Sequence, residues 1–446
     1  MLKKIKILGL ILLKVIIMLG TISARTDFKP IKFTIDSLSN GLTVIYHIDK
    51  SAPIVSTIMH YRVGSKDENP NRTGFAHFFE HLMFEATEAI PRGEMDKMIQ
   101  LAGGNLNAHT SFDETVYKIN LPSNQLPLAL WIEAQRMRKL KVDTIGVETQ
   151  RGVVKEERKQ RMENQPYGNA FEKIMENLFS GGSYSWTPIG SAQHIDEATI
   201  EEFKEFYDNF YQPNNATFVI AGDFDIEVAR NYVNKYFLEY PKANEPIRSE
   251  FVLKSLKQDY KETINDNKAQ LPAVFIAYRG PSLTDSNYFA TKLMADILAS
   301  GESSRLYKRL VDKEQSAVVA ELENLNLQYS GLLLFIGIAA PGKNINDVEK
   351  QILEEINKIA EKGITDEELT KAKNITEAQF VSSKKNVHEK AQELARLYSY
   401  YGDPSRINNE LDEFLNVTKE DIQRVAKQFL INAKKVTLTY IPVSTN

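Results

Sequence analysis

Apolar positions along this chain recur with two distinct periods, and the switches between them outline its elements. Alternation from Lys32 to His47, broken at Asn40-Gly41, predicts a hairpin on a strong two-residue turn signal. Ile54 to Val63 reads as a second strand. Helical spacing then covers about 73–86 and 92–102, followed by a strand at Thr115–Leu121 and long helices near 124–139, 147–163 and 167–179. Further on, the pattern predicts a strand at Ala273–Tyr278, a helix at 286–299, strands near 317–325 and 331–339, and helices at 345–362 and 366–400.

One stretch occurs twice. Thr199-x-x-x-Phe203, then Phe210, then Ala216–Gly222 describes a helix feeding a strand. Thr418-x-x-x-Ile422, then Phe429, then Val436–Ile441 echoes it with about one residue of drift. Each copy closes one half of the chain, as expected of an internal duplication of a unit of about two hundred residues. Helices and strands mix without regular βαβ alternation, which predicts α+β domains rather than a doubly wound sheet. The polar stretch 241–268 reads as a linker, so the expected organisation is a first domain at 25–240 and a second at 269–446.

Composition narrows the chemistry. At 446 residues and 42% hydrophobic, the chain is long enough for two cores. It has no cysteine, which excludes disulfides, thiolate nucleophiles and Cys-based metal sites, so any transition metal must be held by His and carboxylates. Lys3, Lys4 and Lys6 precede an apolar run, Ile7 to Gly20, interrupted by Lys14. Thr21-Ile22-Ser23-Ala24 then offers small residues at a cleavage point, so residues 1–24 read as a secretory signal peptide. The run is short for a membrane anchor, which needs about 20 apolar residues, and no later segment suffices. Cleavage removes four lysines and no acid, taking the net charge from −4 to −8, a poor balance for nucleic-acid binding.

The chemistry concentrates in His77-Phe78-Phe79-Glu80-His81. Residues four apart on a helix share a face, so both imidazoles project together with Glu80 beside them. Two neutral imidazoles suit Zn²⁺, and an adjacent carboxylate can take a proton from water at the metal. The His-x-x-Glu-His order is that of the inverted zincins. A catalytic zinc needs a third protein ligand and an open position. Gln150-Arg151-Gly152-Val153-Val154-Lys155-Glu156-Glu157 offers carboxylates on a second helix, and spacing leaves Glu156 and Glu157 both open.

With Glu157 standing 76 residues past His81 in a Val-Val-x-Glu-Glu helix, the chain resembles the pitrilysin/insulinase family of zinc metallopeptidases over almost its whole mature length. Gly74-Phe75-Ala76 before the motif matches that family, as do Gly104, Asn107-Ala108, Thr110, Asp113, Thr115 and Tyr117. Pro188-x-Gly190 and Tyr211-x-Pro213-Asn214-Asn215 match it further on. The resemblance implies one Zn²⁺ per chain held by His77, His81 and Glu157, with Glu80 as general base. It implies Asn107 and Ala108 on an edge strand that binds peptide substrates by strand addition. It also implies two homologous α+β domains, each a mainly antiparallel sheet flanked by helices, and a half-length bacterial member like the processing-peptidase subunits of mitochondria.

Two positions depart from the family pattern. Gln150 stands seven residues before Glu157, where many relatives have a second glutamate, and is a candidate to support the ligands by hydrogen bonding. Active relatives also carry an Arg and a Tyr seven residues apart in the second half. Aligning Lys313-Glu314-Gln315 puts Val311 and Val318 there, and neither can donate a hydrogen bond to an oxyanion. Arg305, Tyr307 and Arg309 lie nearby without the required spacing. The expectation is therefore a zinc endopeptidase subunit, in the periplasm of a Gram-negative bacterium, whose heterodimer partner of the same fold supplies the Arg/Tyr pair. A homodimer and a non-catalytic scaffold of the same fold are the alternatives.

Overall fold

In the first sheet, the alternation read from the sequence closes a hairpin, β1 (Thr34–Ser37) to β2 (Thr43–Ile48), around Asn40-Gly41. The structure, a computed structural model, describes residues 29–443; the signal-peptide reading of residues 1–24 lies outside them. The chain continues through β3 (Ile54–Tyr61), α1 (Phe75–Leu82), α2 (Glu94–Leu101), β4 (Asn105–Thr110) and β5 (Thr115–Pro122). Helices α3 (Leu126–Arg138), α4 (Thr144–Arg158), α5 (Ala170–Leu178), α6 (Ala192–Glu197) and α7 (Ile200–Phe210) follow, then β6 (Ala216–Gly222) and α8 (Ile226–Phe237).

The six strands run in the order β1-β2-β6-β3-β5-β4. The last strand of this sheet in sequence, β6, thus lies between β2, parallel to it, and β3, antiparallel. Such an insertion needs a strand buried on both faces, and β6 is buried at all seven positions. At the far end β4 pairs only with β5, leaving its other edge free among the described residues.

A second sheet repeats this topology. It comprises β7 (Tyr260–Asp266), β8 (Ala273–Gly280), β9 (Ala317–Leu325), β10 (Gly331–Ala339) and β11 (Lys435–Pro442) in the order β7-β11-β8-β10-β9. Again the last strand is inserted, parallel to one neighbour and antiparallel to the other. The echo around Thr199 and Thr418 is explained by this: each copy is the helix that delivers the inserted strand. Helices α9 (Tyr288–Ala299), α10 (Ile345–Lys362), α11 (Asp366–Ser383) and α12 (Val387–Tyr401) belong to this half.

Two sequence readings change. The stretch 241–268, read as linker, contains β7, whose polar composition hides a half-buried edge strand with inward Tyr260 and Ile264. The helix expected over 366–400 is two helices broken around Lys384-Lys385-Asn386, where Asn386 caps α12.

Each sheet has an apolar core on the side of its own helices, with α1 to α4 over the first and α9 to α11 over the second. The reverse faces are covered reciprocally. Helix α5 packs Ile174, Met175 and Leu178 against Phe275, Leu334 and Leu438 of the second sheet. Helix α12 lies behind the first sheet through polar contacts. Ser399 reaches His60 and Thr217, Tyr400 donates to Glu114, and Lys118 donates to Gln392.

Candidate metal centre

Helix α1 owes its orientation to an apolar stripe at Phe75, Phe78, Phe79 and Leu82, the i, i+3, i+4, i+7 spacing of a core-facing helix. Phe75 and Phe78 stack on Phe203 with ring centroids 4.6 and 4.4 Å away, and Phe79 stacks on Phe206 and Tyr207 of the same helix, α7. With that stripe buried, His77 and His81 are turned toward α4 and Glu80 toward Thr110 of β4. Helix α4 buries Val147 and Val154, which brings Glu157 to the facing side.

Three ligand atoms converge there. His77 Nε2 and His81 Nε2 are 3.3 Å apart, and Glu157 Oε2 lies 3.5 Å from the first and 3.2 Å from the second. This is the single group of three or more potential metal-binding side chains among the described residues. The set fits a metal. Glu157 Oε2 is buried outside hydrogen-bond geometry with both rings, and His77 Nδ1 is likewise buried without a partner. Three acceptors facing one point are costly unless a cation is shared between them. Two imidazoles and a carboxylate are the ligand types of a catalytic zinc, with a fourth position left open.

The electrostatics agree. Burial, then the neighbouring His81 ring, pushes His77 down to about 4, so its imidazole is neutral and able to ligate at neutral pH. His81 pulls the Glu157 carboxyl below its ordinary range against the opposing push of burial, with His77 and Arg161 adding to the pull. Burial raises the Glu80 carboxyl, partly offset by a hydrogen bond with Thr110 and by the His81 ring. A raised carboxyl is better matched to accepting a proton near neutrality.

The two carboxylates that spacing left open face different ways. Glu157 faces the imidazoles, whereas Glu156 is exposed beside Lys159 and Gln160. The Gln150 amide does not reach the cluster in the manner of a ligand support; its Nε2 donates to Glu85 Oε1 at 2.6 Å. Glu85 also pairs with Arg92, and Arg92 with Asp143, the N-cap of α4, so this network ties α4 to the turn after α1. Asn107 and Ala108 lie on the free-edged β4, where the Asn107 side chain accepts from the Ala108 N–H at 2.8 Å.

Sequence reasoning missed two residues. Arg161, in a π-helical turn following α4, forms an ion pair with the outer oxygen of Glu157 at 2.9 Å. Glu68 accepts from the backbone at the start of α1. Neither stands in a recognisable spacing; Arg161 depends on the change of helical pitch after Arg158, and Glu68 on a loop.

In the second half, Val311 is partly buried against the core and Val318 is 48% exposed. Arg305 is paired with Glu368, and Arg309 with Glu314, Glu354 and Glu355. Both guanidinium groups are thus engaged within their own half.

Residues 43–189 match the family model described as Insulinase (Peptidase family M16), and residues 197–376 match that described as Peptidase M16 inactive domain. The chain belongs to the pitrilysin/insulinase family. The candidate metal ligands all fall within the first match, and the inactive-domain model covers the half that lacks them. Zinc protease PqqE of Helicobacter pylori is 29% identical over 412 residues, which are 91% of this chain and 92% of that one. Probable zinc protease PqqL of Escherichia coli is 26% identical over 85% of this chain, and the match spans 41% of PqqL. The crystal structure of a protease from Helicobacter pylori superposes with a TM-score of 0.87 at 29% identity, covering 93% of this chain and all of that one. That of the first half of the periplasmic protease PqqL from Escherichia coli superposes at 0.75 with 20% identity, covering 93% of both chains, a likeness of fold. The fold is thus that of a half-length family member.

Proposed function

We propose that this chain is a zinc-dependent endopeptidase that holds one Zn²⁺ through His77, His81 and Glu157 and uses Glu80 as its general base. The observation that carries this reading is the convergence of His77 Nε2, His81 Nε2 and Glu157 Oε2 within 3.5 Å, with Glu80 on the same helix. The names of the Helicobacter and Escherichia relatives, zinc proteases, support it.

Zinc at this position supplies Lewis acidity and lowers the pKa of a water molecule to about 7. The protein's own residues do the rest. A peptide lies extended along the free edge of β4, held by backbone hydrogen bonds near Asn107 and Ala108. Glu80 accepts the proton of the attacking water and returns it to the departing amine, and its raised carboxyl suits both transfers. Thr110 holds the Glu80 side chain against β4, keeping base and substrate strand in register.

Val311 and Val318 provide no donor for the oxyanion, and Arg305 and Arg309 are held by their own carboxylates. These observations support a divided site, in which a second subunit of the same fold brings an Arg/Tyr pair to the cleft. A secretory signal at residues 1–24 would place the mature chain in the periplasm, the compartment named for PqqL. The match of residues 197–376 to an inactive-domain model favours, as a second reading, a zinc-binding scaffold without activity of its own.

The test is hydrolysis of a mixed peptide library by zinc-loaded residues 25–446, with Glu80→Gln as control. Cleavage that disappears in the control supports a peptidase active as one chain type. Stoichiometric zinc without cleavage directs the test to a co-purified Arg/Tyr-bearing partner, and continued inactivity with that partner leaves the scaffold reading. Absence of zinc binding removes the proposal.

A further inference from the structure

We propose that Glu68 is a positioning residue for the metal centre, fixing the first turn of α1 so that His77 meets the metal; this rests on reading His77 as a ligand. The first N–H groups of any helix lack partners inside it. Here the N-cap position is Gly74, held at φ 96° and bringing no side-chain acceptor. Glycine is favoured at 74 by that left-handed φ and by the Ile189 carbonyl oxygen and Ile195 side chain, each of which an added Cβ would approach to 3.0 Å.

Glu68 fills the gap from six residues upstream. Its Oε2 accepts from Gly74 N at 2.9 Å and its Oε1 from Ala76 N at 2.8 Å, so the carboxylate straddles the residues leading into His77. The Trp186 indole donates to the same Oε2 at 3.0 Å while also reaching Ser65 O at 2.9 Å, which holds the carboxylate itself in place. Glu68 is only 2% exposed, so losing an acceptor there strands N–H groups away from water.

What lies beyond Glu68 makes the anchor matter for the ligands. A cavity of about 600 Å³, lined by Glu68, Thr73, Trp186 and His194, opens beside the start of α1. Unfastened, the first turn loses the acceptors of its Gly74 and Ala76 N–H groups. His77 sits in that turn, whereas His81 sits one turn on and Glu157 on a different helix. Weakening Glu68 therefore displaces one of three ligands and spares two. Loss of a group that orients a metal ligand typically costs about 10- to 100-fold in metal affinity.

The experiment measures zinc affinity of the full chain by competition with a chelator, with hydrogen exchange of the amides at 74–78 in the metal-free protein. Glu68→Gln keeps the shape but turns an amide NH₂ toward one N–H donor. We expect a Kd for zinc about 10- to 100-fold higher than wild type and faster exchange confined to 74–78. Glu68→Asp, which retains the carboxyl group but shortens the reach, should show a smaller loss and serves if the glutamine variant does not fold. A folded variant with altered thermal stability but a zinc Kd within two-fold of wild type would overturn the inference and leave Glu68 a purely structural cap. His77→Ala is the separate control: if it binds zinc as wild type does, the ligand assignment fails first, whatever Glu68 does.

Discussion

Adjacent residues on a helix point about 100° apart, so the sequence Glu156-Glu157 carries two mutually exclusive readings that no spacing rule separates. Packing of α4 resolves them, since burying Val147 and Val154 fixes which carboxylate faces α1. Alanine at 157 should abolish tight zinc binding, by 100-fold or more on the order of a lost ligand, while alanine at 156 leaves it unchanged; a chelator titration of the two variants checks this. Arg161 contributes less, because its side chain is 72% exposed and its bond to Glu157 is screened by water. Replacing it by alanine should weaken zinc binding by a few-fold at most, about 0.5 kcal/mol, and by less still in high salt, as calorimetry at two ionic strengths would register. The His-x-x-Glu-His cluster was legible because its chemistry is written within five consecutive residues. Glu68 and Arg161 were not, because a loop and a change of helical pitch bring them in.

Among the elements, the junction of Gly74 with Gly190 is the least tolerant point near the site. Gly190 has φ 65° and no room for a Cβ. Gly190→Ala should cost roughly 2 kcal/mol or more in unfolding free energy, read from a denaturant titration. The clasp between α12 and the first sheet makes a different prediction, in pH. Glu114 accepts from Tyr400 of α12 and lies 2.7 Å from His60 Nε2 of β3 and 3.4 Å from His109 Nε2 of β4. Burial opposes its ionisation, but the two imidazoles outweigh burial and hold the carboxyl well below the usual range. A carboxyl lowered in the folded state stabilises the protein above its unfolded pKa, and the gain disappears as pH falls through the folded value. Glu114→Gln should therefore be less stable than wild type by roughly 1–3 kcal/mol at neutral pH, with the gap closing below the ordinary carboxylate range. Thermal melts of both proteins between neutral and strongly acidic pH would show the two curves converging. This clasp was invisible in the sequence because its partners are nearly three hundred positions apart, whereas the strands and helices themselves show local periodicity.

At the scale of the whole molecule, Val311 and Val318 stand where the family resemblance implies an Arg/Tyr pair. If a second subunit completes the site, adding an Arg/Tyr-bearing partner should raise kcat by roughly 10²–10³ over the chain alone, the value of a lost oxyanion donor. Equal turnover with and without the partner would instead favour a self-sufficient chain. Periodicity and the Thr199/Thr418 echo made the two-sheet organisation readable from the sequence. The reciprocal covering of each sheet by a helix of the other half was not readable, because it is set by surface fit and has no period. The hidden strand β7 shows the same limit, since an edge strand with one solvated face reads as polar linker.

The order in which the strands are threaded has a consequence for how the molecule comes into being. Strands β2 and β3 emerge early, but they are joined only when β6 slides between them, and β7 and β8 wait in the same way for β11. During synthesis each sheet therefore stands open in its middle, presenting two facing hydrogen-bonding edges until the final strand of that half is made. A message truncated anywhere ahead of residue 435 does not trim the second sheet at its margin; it removes the keystone. The product would be left with a slot shaped for one strand and nothing of its own to fill it, the condition under which chains borrow strands from one another. Premature termination in this protein should accordingly surface as aggregation, not as a shorter soluble chain.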